Sequence, residues 1–256
     1  MRTGRVQAID RAVMILKLFS DERKELKLTD IADELDLNKS TVHGIISTLK
    51  YHGLIDQNEE TQKYRLGLYL MELGDRVSNS LDIIEISNPI IKDLCSKIEE
   101  TVHLGALDGP EVVYIDKKES NQSMRIFSAI GARNPAYCTG VGKAMLAYID
   151  FDKLEEFLPN ELVKLTPNTI TDKKELAKEL SQIREQGYAL DNEENTVGLT
   201  CIAAPIFDKT GNAKYAISVS GPTVRMNYKQ IEKAKELIIN SAKEISVQLG
   251  YKDLWA

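Results

Sequence analysis

Apolar residues near the start of the chain recur three times at helical spacing, which predicts three short helices. Their apolar positions are Val6, Ile9, Ala12, Val13, Leu16 and Phe19 in the first helix, Ile31, Ala32 and Leu35 in the second, and Val42, Ile45, Ile46 and Leu49 in the third. Thr29 is the expected N-cap of the second helix, and Asn38 or Ser40 that of the third. We expect the first helix to pack on the other two and complete a three-helix core.

The third helix and the segment after it have the surface pattern of a DNA-reading unit. Its outward positions are small, polar or basic: Lys39, Ser40, Thr41, His43, Gly44 and Ser47. Residues 54–56 and 63–66 alternate around a polar tip at 58–61, which predicts the wing of a winged helix-turn-helix. A recognition helix presents such side chains to the major groove, and Lys63 and Arg65 are placed for phosphate contacts. A plain helical bundle accounts less well for a third helix with lysines and no acidic residue.

Beyond residue 66 the pattern predicts a linker helix over 67–88 and a larger domain over 89–256. The linker's apolar positions are too many for a solvated helix and favour packing within the subunit or against a second copy: Leu68, Leu70, Met71, Leu73 and Val77. The larger domain should contain helices at 90–100, 140–149, 152–158, 172–186 and 228–249, and strands at 101–107, 111–116, 123–130, 188–191, 201–208 and 214–220. The order predicts an α+β fold with a mixed sheet flanked by helices.

Charge divides the chain at the same place. The 256 residues have a net charge of −6 from 33 basic and 39 acidic side chains. Residues 1–65 contain eleven of each, so the whole excess of acid lies beyond them, and the second part is not expected to bind DNA. The widely spaced Cys95, Cys138 and Cys201 predict a reducing cytoplasm rather than a disulfide framework or zinc finger. The absence of a signal-like N-terminus and of a long apolar run predicts no membrane segment.

Small polar residues on two predicted neighbouring strands indicate a ligand pocket. Ser218 and Ser220 share one face of their strand, and Cys201 lies on the next strand. Such a face fills a core poorly and suits a small ligand with oxygen acceptors. The loop 137–142 enters a helix whose free backbone N–H groups favour a carboxylate or phosphate, and its glycines allow close approach. An equally open interpretation makes Cys201 a buried apolar residue and the serines strand filler.

Two chemical alternatives use the same region. Cys201, His103 and Asp191 could act as nucleophile, base and orienting acid, although no local catalytic motif surrounds them. Asp191 and His103 together with Glu193 and Glu194 could bind a divalent metal, although acids near a turn are usually just solvated. The favoured interpretation is a regulator that is not an enzyme and has no cofactor.

Two stretches have a spacing that matches a known family. The first is Gly187-x3-Asp191-x2-Glu194-x6-Cys201-Ile202-Ala203-Ala204-Pro205, followed by Ile217 to Pro222; the second comprises 6–12 and 39–43 near the start. Over residues 5–250 the chain resembles the IclR family of bacterial transcription regulators. The resemblance implies a winged helix-turn-helix, a linker helix and a GAF-like effector domain. It places the effector site at Thr139, Gly140, Val141, Asp191, Cys201, Ser218 and Ser220.

The resemblance also implies partners and a role. Family members assemble as dimers, often dimers of dimers, on inverted-repeat operators, and respond to small organic acids or aromatic compounds; some place a metal ion in the pocket. We therefore expect a cytoplasmic repressor of a catabolic operon, with an activator as the alternative. Gly44 departs from the family, because many relatives have Arg there, so a base contact from that position is not expected. Glycine there should instead permit close approach to DNA or to neighbouring backbone.

Overall fold

A computed structural model describes residues 6–20, 22–79, 82–122 and 128–252, and divides the chain into two units, Met1–Ser80 and Leu81–Ala256. The first unit contains α1 Gln7–Lys17, α2 Leu28–Glu34, α3 Lys39–Tyr51, β1 Ile55–Gln57, β2 Tyr64–Leu66 and α4 Tyr69–Asn79. Strands β1 and β2 pair antiparallel, and the start of β2 also bridges to Leu26. Helices α2 and α3 with this hairpin form the predicted winged helix-turn-helix.

The first unit buries a different side of α1 from the side that was predicted. Ile15 is fully buried and packs with Ile31, Val42 and Ile46, whereas the predicted inward residues Val6, Ile9 and Val13 are 44–62% exposed. The inward side of α1 is centred on Ile15 with Ala12 and Leu16 beside it, so the predicted stripe was rotated about the helix axis. An apolar strip on α1 is therefore left in solvent.

The caps of α2 and α3 also differ in detail from the prediction. Helix α2 begins after Lys27, whose backbone N–H donates to the Asp30 carboxylate at 3.3 Å. The predicted cap, Thr29, lies inside the helix and donates its hydroxyl to Asp30. Asn38 precedes α3 as predicted, but its side chain makes no capping hydrogen bond. The prediction was wrong for Thr29 because a carboxylate in the first turn satisfies the free N–H groups equally well.

The second unit is one six-stranded sheet with helices on both faces. Its elements are α5 Asp82–Ile98, β3 Thr101–Asp108, β4 Glu111–Lys118, β5 Arg133–Pro135, α6 Gly140–Leu146, α7 Lys173–Gln186, β6 Ala189–Asn192, β7 Leu199–Ile206, β8 Tyr215–Pro222 and α8 Tyr228–Gln248, with short 3-10 helices at Ala136–Cys138 and Phe151–Phe157. The strand order is β5-β4-β3-β8-β7-β6. Every neighbouring pair is antiparallel, so the prediction of a mixed sheet was wrong.

Alternation along the strands separates two cores. On one face Ile202 and Ile217 pack with apolar residues of α5 and α8. On the other face Ala203 and Ala216 pack with apolar residues of α6 and α7. The second face carries small side chains, which lets α6 lie close to the sheet and leaves room beside it.

Several predicted boundaries in the second unit are corrected. Helix α5 begins at Asp82 and contains Pro89, because its apolar stripe continues across the proline to pack on the sheet. Strand β5 lies in the predicted loop 131–139, while the predicted strand 123–130 falls largely outside the described residues, and 128–130 are not strand. The segment 152–158 is 3-10 rather than α-helical. Within the described part of the chain, no helix is both long and apolar enough to cross a membrane.

Candidate functional site

The recognition helix separates its core residues from its outward residues. Val42, Ile46 and Leu49 are buried, at a spacing of three and four residues. The predicted DNA-reading residues lie together on the other side: Lys39, Ser40, His43, Gly44 and Ser47 are exposed, and Thr41 is half-buried. None of these six residues is needed to fill the core, so the surface is available to a partner.

The wing carries its basic residues in contact with acidic and polar neighbours. Arg65 donates to the carboxylate of its cross-strand partner Asp56 at 2.6 Å, and about half of each side chain remains exposed. This hydrogen bond lowers the pKa of the Asp56 carboxyl. Lys50, at the end of α3, donates to Gln57 of the wing at 3.1 Å and was missed as a candidate contact. Lys63 is half-buried between the polar tip and β2.

Gly44 has no structural reason for being glycine within its own unit. A Cβ built at this position meets no described atom within 4 Å, and the residue has ordinary helical backbone. The expectation that glycine permits close approach to neighbouring backbone of this chain is therefore wrong for the described residues. Approach by a molecule outside the chain remains as the explanation that the sequence predicted.

A cavity of about 150 Å³ lies between the second unit's sheet and α6. All seven predicted effector residues line it: Thr139, Gly140, Val141, Asp191, Cys201, Ser218 and Ser220. Strand register brings three of them side by side, because Asp191 pairs with Cys201 and Cys201 pairs with Ser220. Segments about eighty residues apart in sequence therefore meet in one partly enclosed site.

The glycines beside the cavity permit close packing of α6 on the sheet and on the 3-10 turn that precedes it. A Cβ at Gly142 would lie 2.1 Å from the carbonyl oxygen of Ala136, and one at Gly140 would meet the Cβ of Ala203 at 3.3 Å. Thr139 caps α6 by accepting the Gly142 N–H at 3.2 Å. These residues position the cavity wall in addition to lining it.

Burial sets the protonation of the cavity's titratable groups. Asp191 is 2% exposed and accepts the backbone N–H of Glu194 at 2.8 Å; burial raises the pKa of its carboxyl to about 7. Burial and the nearby Lys117 lower the pKa of His103 to about 4, so its imidazole is neutral at pH 7. Burial, reinforced by Asp191, raises the pKa of the Cys201 thiol far above its ordinary value.

These protonation states and the strand order exclude the thiol chemistry considered from sequence. Cys201 stays a thiol, whereas a nucleophilic cysteine needs a lowered pKa. His103 lies on β3 and is separated from Cys201 on β7 by strand β8. Its Nε2 is hydrogen-bonded to the hydroxyl of Ser128 at 2.8 Å, so it is not paired with the thiol.

The metal alternative fails a test of fit. Nowhere in the described ranges do three His, Cys, Asp or Glu side chains gather as a metal site requires. Glu194 is paired with the fully buried Lys143 at 2.5 Å, and the Glu193 carboxylate accepts the backbone N–H of Gly198 at 2.6 Å. Two of the four proposed ligands are thus engaged in holding the loop that follows β6.

Comparison with known proteins decides the family. The IclR helix-turn-helix domain matches residues 8–59, and the bacterial transcriptional regulator IclR C-terminal domain matches residues 75–247. The HTH-type transcriptional regulator KdgR of Escherichia coli (strain K12) is 38% identical over 250 residues, covering 95% of each chain. The chain belongs to the IclR family. It is a DNA-binding transcriptional regulator of that family and not an enzyme.

Solved structures of the IclR family agree with the fold described above. The Thermotoga maritima IclR superposes with a TM-score of 0.78 at 34% identity, covering 96% of this chain and all of that one. An IclR homologue from Microbacterium hydrocarbonoxydans, solved in complex with 4-hydroxybenzoate, superposes with a TM-score of 0.83 at 25% identity, covering 95% of this chain and 99% of that one. The α+β architecture is thus that of the IclR regulators.

Seven of the cavity's fourteen lining residues were not predicted as effector residues, although His103 had been considered with Cys201 and Asp191 as a possible base or metal ligand. The additional lining residues are His103, Tyr114, Ser128, Asn134, Asn195, Thr196 and Leu199. His103 reaches the cavity because β3 pairs with β8, which places His103 beside Ser218, and the sequence carries no local signal for that pairing. Lys143 was also missed, although a single charge inside the apolar helix GVGKAML was a usable signal for a buried ion pair.

Proposed function

We propose that this IclR-family regulator represses a catabolic operon in the cytoplasm and is switched by a small organic acid. The observation that carries the proposal is the coincidence of all seven predicted effector residues around one cavity, in a unit separate from the one that exposes the recognition helix. The cavity is partly enclosed and has polar groups in its lining, as a site for a small ligand with oxygen atoms should have. Lys39, Ser40, Thr41, His43 and Ser47 would then face the groove, with Lys63 and Arg65 near the phosphates.

A symmetric dimer is part of the proposal. The first unit leaves large apolar side chains in solvent on α1 and α4, among them Ile9 at 62%, Met71 at 72% and Val77 at 62% exposure. Apolar patches of this kind on a soluble domain mark contacts with another molecule. A second copy related by a two-fold axis would cover them and present two recognition helices to an inverted repeat.

Regulation requires that the acid distinguish two states of the protein. A ligand that bound the DNA-competent and DNA-incompetent states equally would leave the operator occupied, however tightly it bound. An effector that releases the repressor from its operator must therefore bind the DNA-incompetent state more tightly. The complex of an IclR homologue with 4-hydroxybenzoate supports a carboxylate-bearing effector class.

Selection of bound sequences from random duplex DNA with the full chain tests the DNA side of the proposal. We expect an inverted repeat with half-sites about one helical turn apart, or a multiple of it, and an affinity that falls steeply between two salt concentrations. The genes beside matching genomic sites then indicate which acids to test. Enrichment of no sequence by the effector-free protein would contradict the proposal, because a repressor that its effector releases binds the operator when the effector is absent.

The variant Ser218→Leu tests the effector side. A leucine at this buried position fills the cavity, so the variant should bind the operator normally and no longer release it when the acid is added. Operator affinity measured with and without the acid checks this. Ser181→Leu, on the exposed side of α7, is the matched control and should respond as the wild type does. A normal response by Ser218→Leu would place the effector site elsewhere.

A further inference from the structure

Helix α4 lies almost entirely in solvent within the first unit. Residues 68–77 are all exposed except Leu70, which is half-buried. None of the described residues of α4 belongs to the core that the other helices and the wing share. The direction of α4 is therefore set at its start, where the chain leaves β2 through Gly67 and Leu68.

The recognition helix α3 ends in a left-handed glycine. Gly53 has a φ of +69°, which L side chains rarely adopt. Its backbone N–H donates to the Lys50 carbonyl at 3.0 Å, and the backbone N–H of Leu54 donates to the Leu49 carbonyl at 2.9 Å. These two hydrogen bonds form a Schellman motif, which satisfies the last carbonyls of the helix and fixes the chain that follows it. The carbonyl group of Gly53 is thereby held in one place.

Gly67 lies directly against that turn. Its backbone N–H donates to the Leu54 carbonyl at 2.9 Å. A Cβ built on Gly67 would lie 2.0 Å from the carbonyl oxygen of Gly53 and 2.7 Å from its carbonyl carbon. Both are backbone atoms of the fixed turn, so no side-chain rotation makes room for a Cβ. Gly67 does not have a positive φ, so close approach is what requires a glycine here.

The contact between Gly53 and Gly67, here called the glycine joint, lies at the opposite end of α3 from the residues predicted to face DNA. Helix α3 has 13 residues, which makes it about 20 Å long. A rotation of about 10° at the glycine joint would move Lys39 and Ser40 by about 3 Å, close to the rise of one base pair. A small change in the angle between α3 and α4 would thus move the recognition helix out of register with its bases.

The angle matters because α4 carries apolar residues that a second copy would cover. Met71 and Val77 are 72% and 62% exposed. In a two-fold symmetric dimer that packs through α4, the glycine joint fixes how far apart the two recognition helices lie. Symmetry applies any rotation in both copies, so a shift of about 3 Å in each changes their separation by up to about 6 Å.

We propose that Gly67 determines the spacing between the two half-sites of the operator, by joining α4 rigidly to the end of α3. This inference rests on the proposed function, because it requires a symmetric dimer on an inverted repeat. Gly67 is a positioning residue, since it acts through the direction of α3. With an alanine side chain at this position, an ordinary contact of about 3.5 Å would require α4 or the turn to shift by about 1.5 Å.

Operator titration with a series of duplexes tests the proposal. The half-sites that the wild type selects are placed at the selected spacing and at one and two base pairs more or fewer. We expect the full-length wild type to bind the selected spacing at least about tenfold more tightly than any other, because a displaced recognition helix loses base contacts. A duplex with a single half-site is the control, since one recognition helix alone reads it.

The variant Gly67→Ala should change this preference. It should bind the wild-type optimum about tenfold more weakly, and either prefer another spacing or bind all five within about threefold of one another. Its affinity for the single half-site should stay within about threefold of the wild type, because the core residues and the groove-facing residues of the reader are unchanged. A general loss of structure would weaken both kinds of binding alike, so the comparison separates positioning from damage.

A measurement on the wild type covers the case in which Gly67→Ala fails to fold, as judged by circular dichroism. Hydrogen exchange followed by mass spectrometry reports how well backbone amides are protected. Because the N–H groups of Gly67 and Leu54 both donate to carbonyls of the joined segments, the peptides that contain them should exchange as slowly as those of the α3 core. Fast exchange at Gly67 would show that α4 is hinged there and would overturn the inference.

Three further outcomes would overturn this inference without touching the proposed function. They are a wild type that binds all five spacings equally, a Gly67→Ala variant that keeps the wild-type preference, and a variant that loses half-site and full-operator affinity to the same extent. Failure of the wild type to select any inverted repeat would instead count against the proposed function. The two failures are thus told apart on the same protein sample.

Discussion

The recognition helix and the effector cavity use their functional residues in opposite ways. On α3 the core is formed by Val42 and Ile46, and residues such as Ser40 lie outward and support nothing inside the unit. Around the cavity, residues that would touch the ligand also hold the fold, because Thr139 caps α6 and Asp191 fixes the turn after β6. DNA preference can therefore change by surface substitution, whereas effector preference is tied to the stability of the second unit.

The largest expected difference between the two regions is the stability that is lost when a lysine is replaced. In the buried region this lysine is Lys143, which is fully buried beside the cavity. Lys143→Met should lower the free energy of unfolding of the second unit by about 3–5 kcal/mol, because it leaves Glu194 buried without its counter-ion. Lys39→Met makes the same change on the exposed surface of α3 and should stay within about 0.5 kcal/mol of the wild type. Urea unfolding followed by circular dichroism measures both. Similar losses in the two variants would contradict the contrast between the two regions.

The next effect concerns DNA binding alone. Ser40→Glu places a negative charge at the exposed start of α3, where it would face the phosphates, and should weaken operator binding by about a hundredfold. The unfolding midpoint should not change, since no core contact is lost. Ser181→Glu, an exposed serine on α7, controls for the added charge and should bind DNA normally. Operator titration of both proteins at one salt concentration checks this, and unchanged binding in Ser40→Glu would remove α3 from the groove.

The sequence predicted the exposed region better than the buried one, for a physical reason. The helices and wing of the first unit follow from local periodicity, and what differed was the phase of α1 and the side-chain caps of α2 and α3. Strand β5 had no alternation to reveal it, and it exists because residues 133–135 pair with β4. His103 enters the cavity through the equally non-local pairing of β3 with β8. The seven predicted cavity residues came from a family resemblance, and local pattern alone left Cys201 undecided.

Protonation gives a smaller effect that is specific to the buried region. The raised pKa of Asp191 makes its contribution to stability fall as pH rises from about 4 to 7, because only the folded state holds the proton there. The lowered pKa of His103 makes its contribution rise between about pH 4 and 6.5, because only the unfolded state is protonated. These two changes of the free energy of unfolding with pH have opposite signs and largely cancel in the wild type. The charged and titratable neighbours that set them are Glu194, Lys143, Cys138 and Cys201 around Asp191, and Lys117, Glu119 and Tyr114 around His103.

Single substitutions should reveal the pH dependence of stability that each of the two groups contributes. Relative to the wild type, Asp191→Asn should gain stability as pH rises from about 4.5 to 6, and His103→Gln should lose it. Each slope should approach about 1.4 kcal/mol per pH unit, the value for one proton. Urea unfolding at four pH values gives both slopes. Parallel curves for the two variants and the wild type would show that neither group is buried as the cavity requires.

The smallest expected effect concerns Gly44, whose replacement should change both the stability of the first unit and its affinity for the operator. Because a Cβ there meets no described atom within 4 Å, Gly44→Ala should stabilise the first unit by about 0.5–1 kcal/mol. Gly74→Ala in α4, where a Cβ is equally free, is the matched control for helix propensity and should give a similar gain in stability. If DNA approaches α3 closely at Gly44, Gly44→Ala should bind the operator more weakly than the wild type although it is more stable, as operator titration and urea unfolding would show. Gly44 lowers the stability of the free protein and permits no packing contact within it, so close approach of DNA is the remaining reason for a glycine at this position. Equal operator affinity for Gly44→Ala and the wild type would contradict that reason.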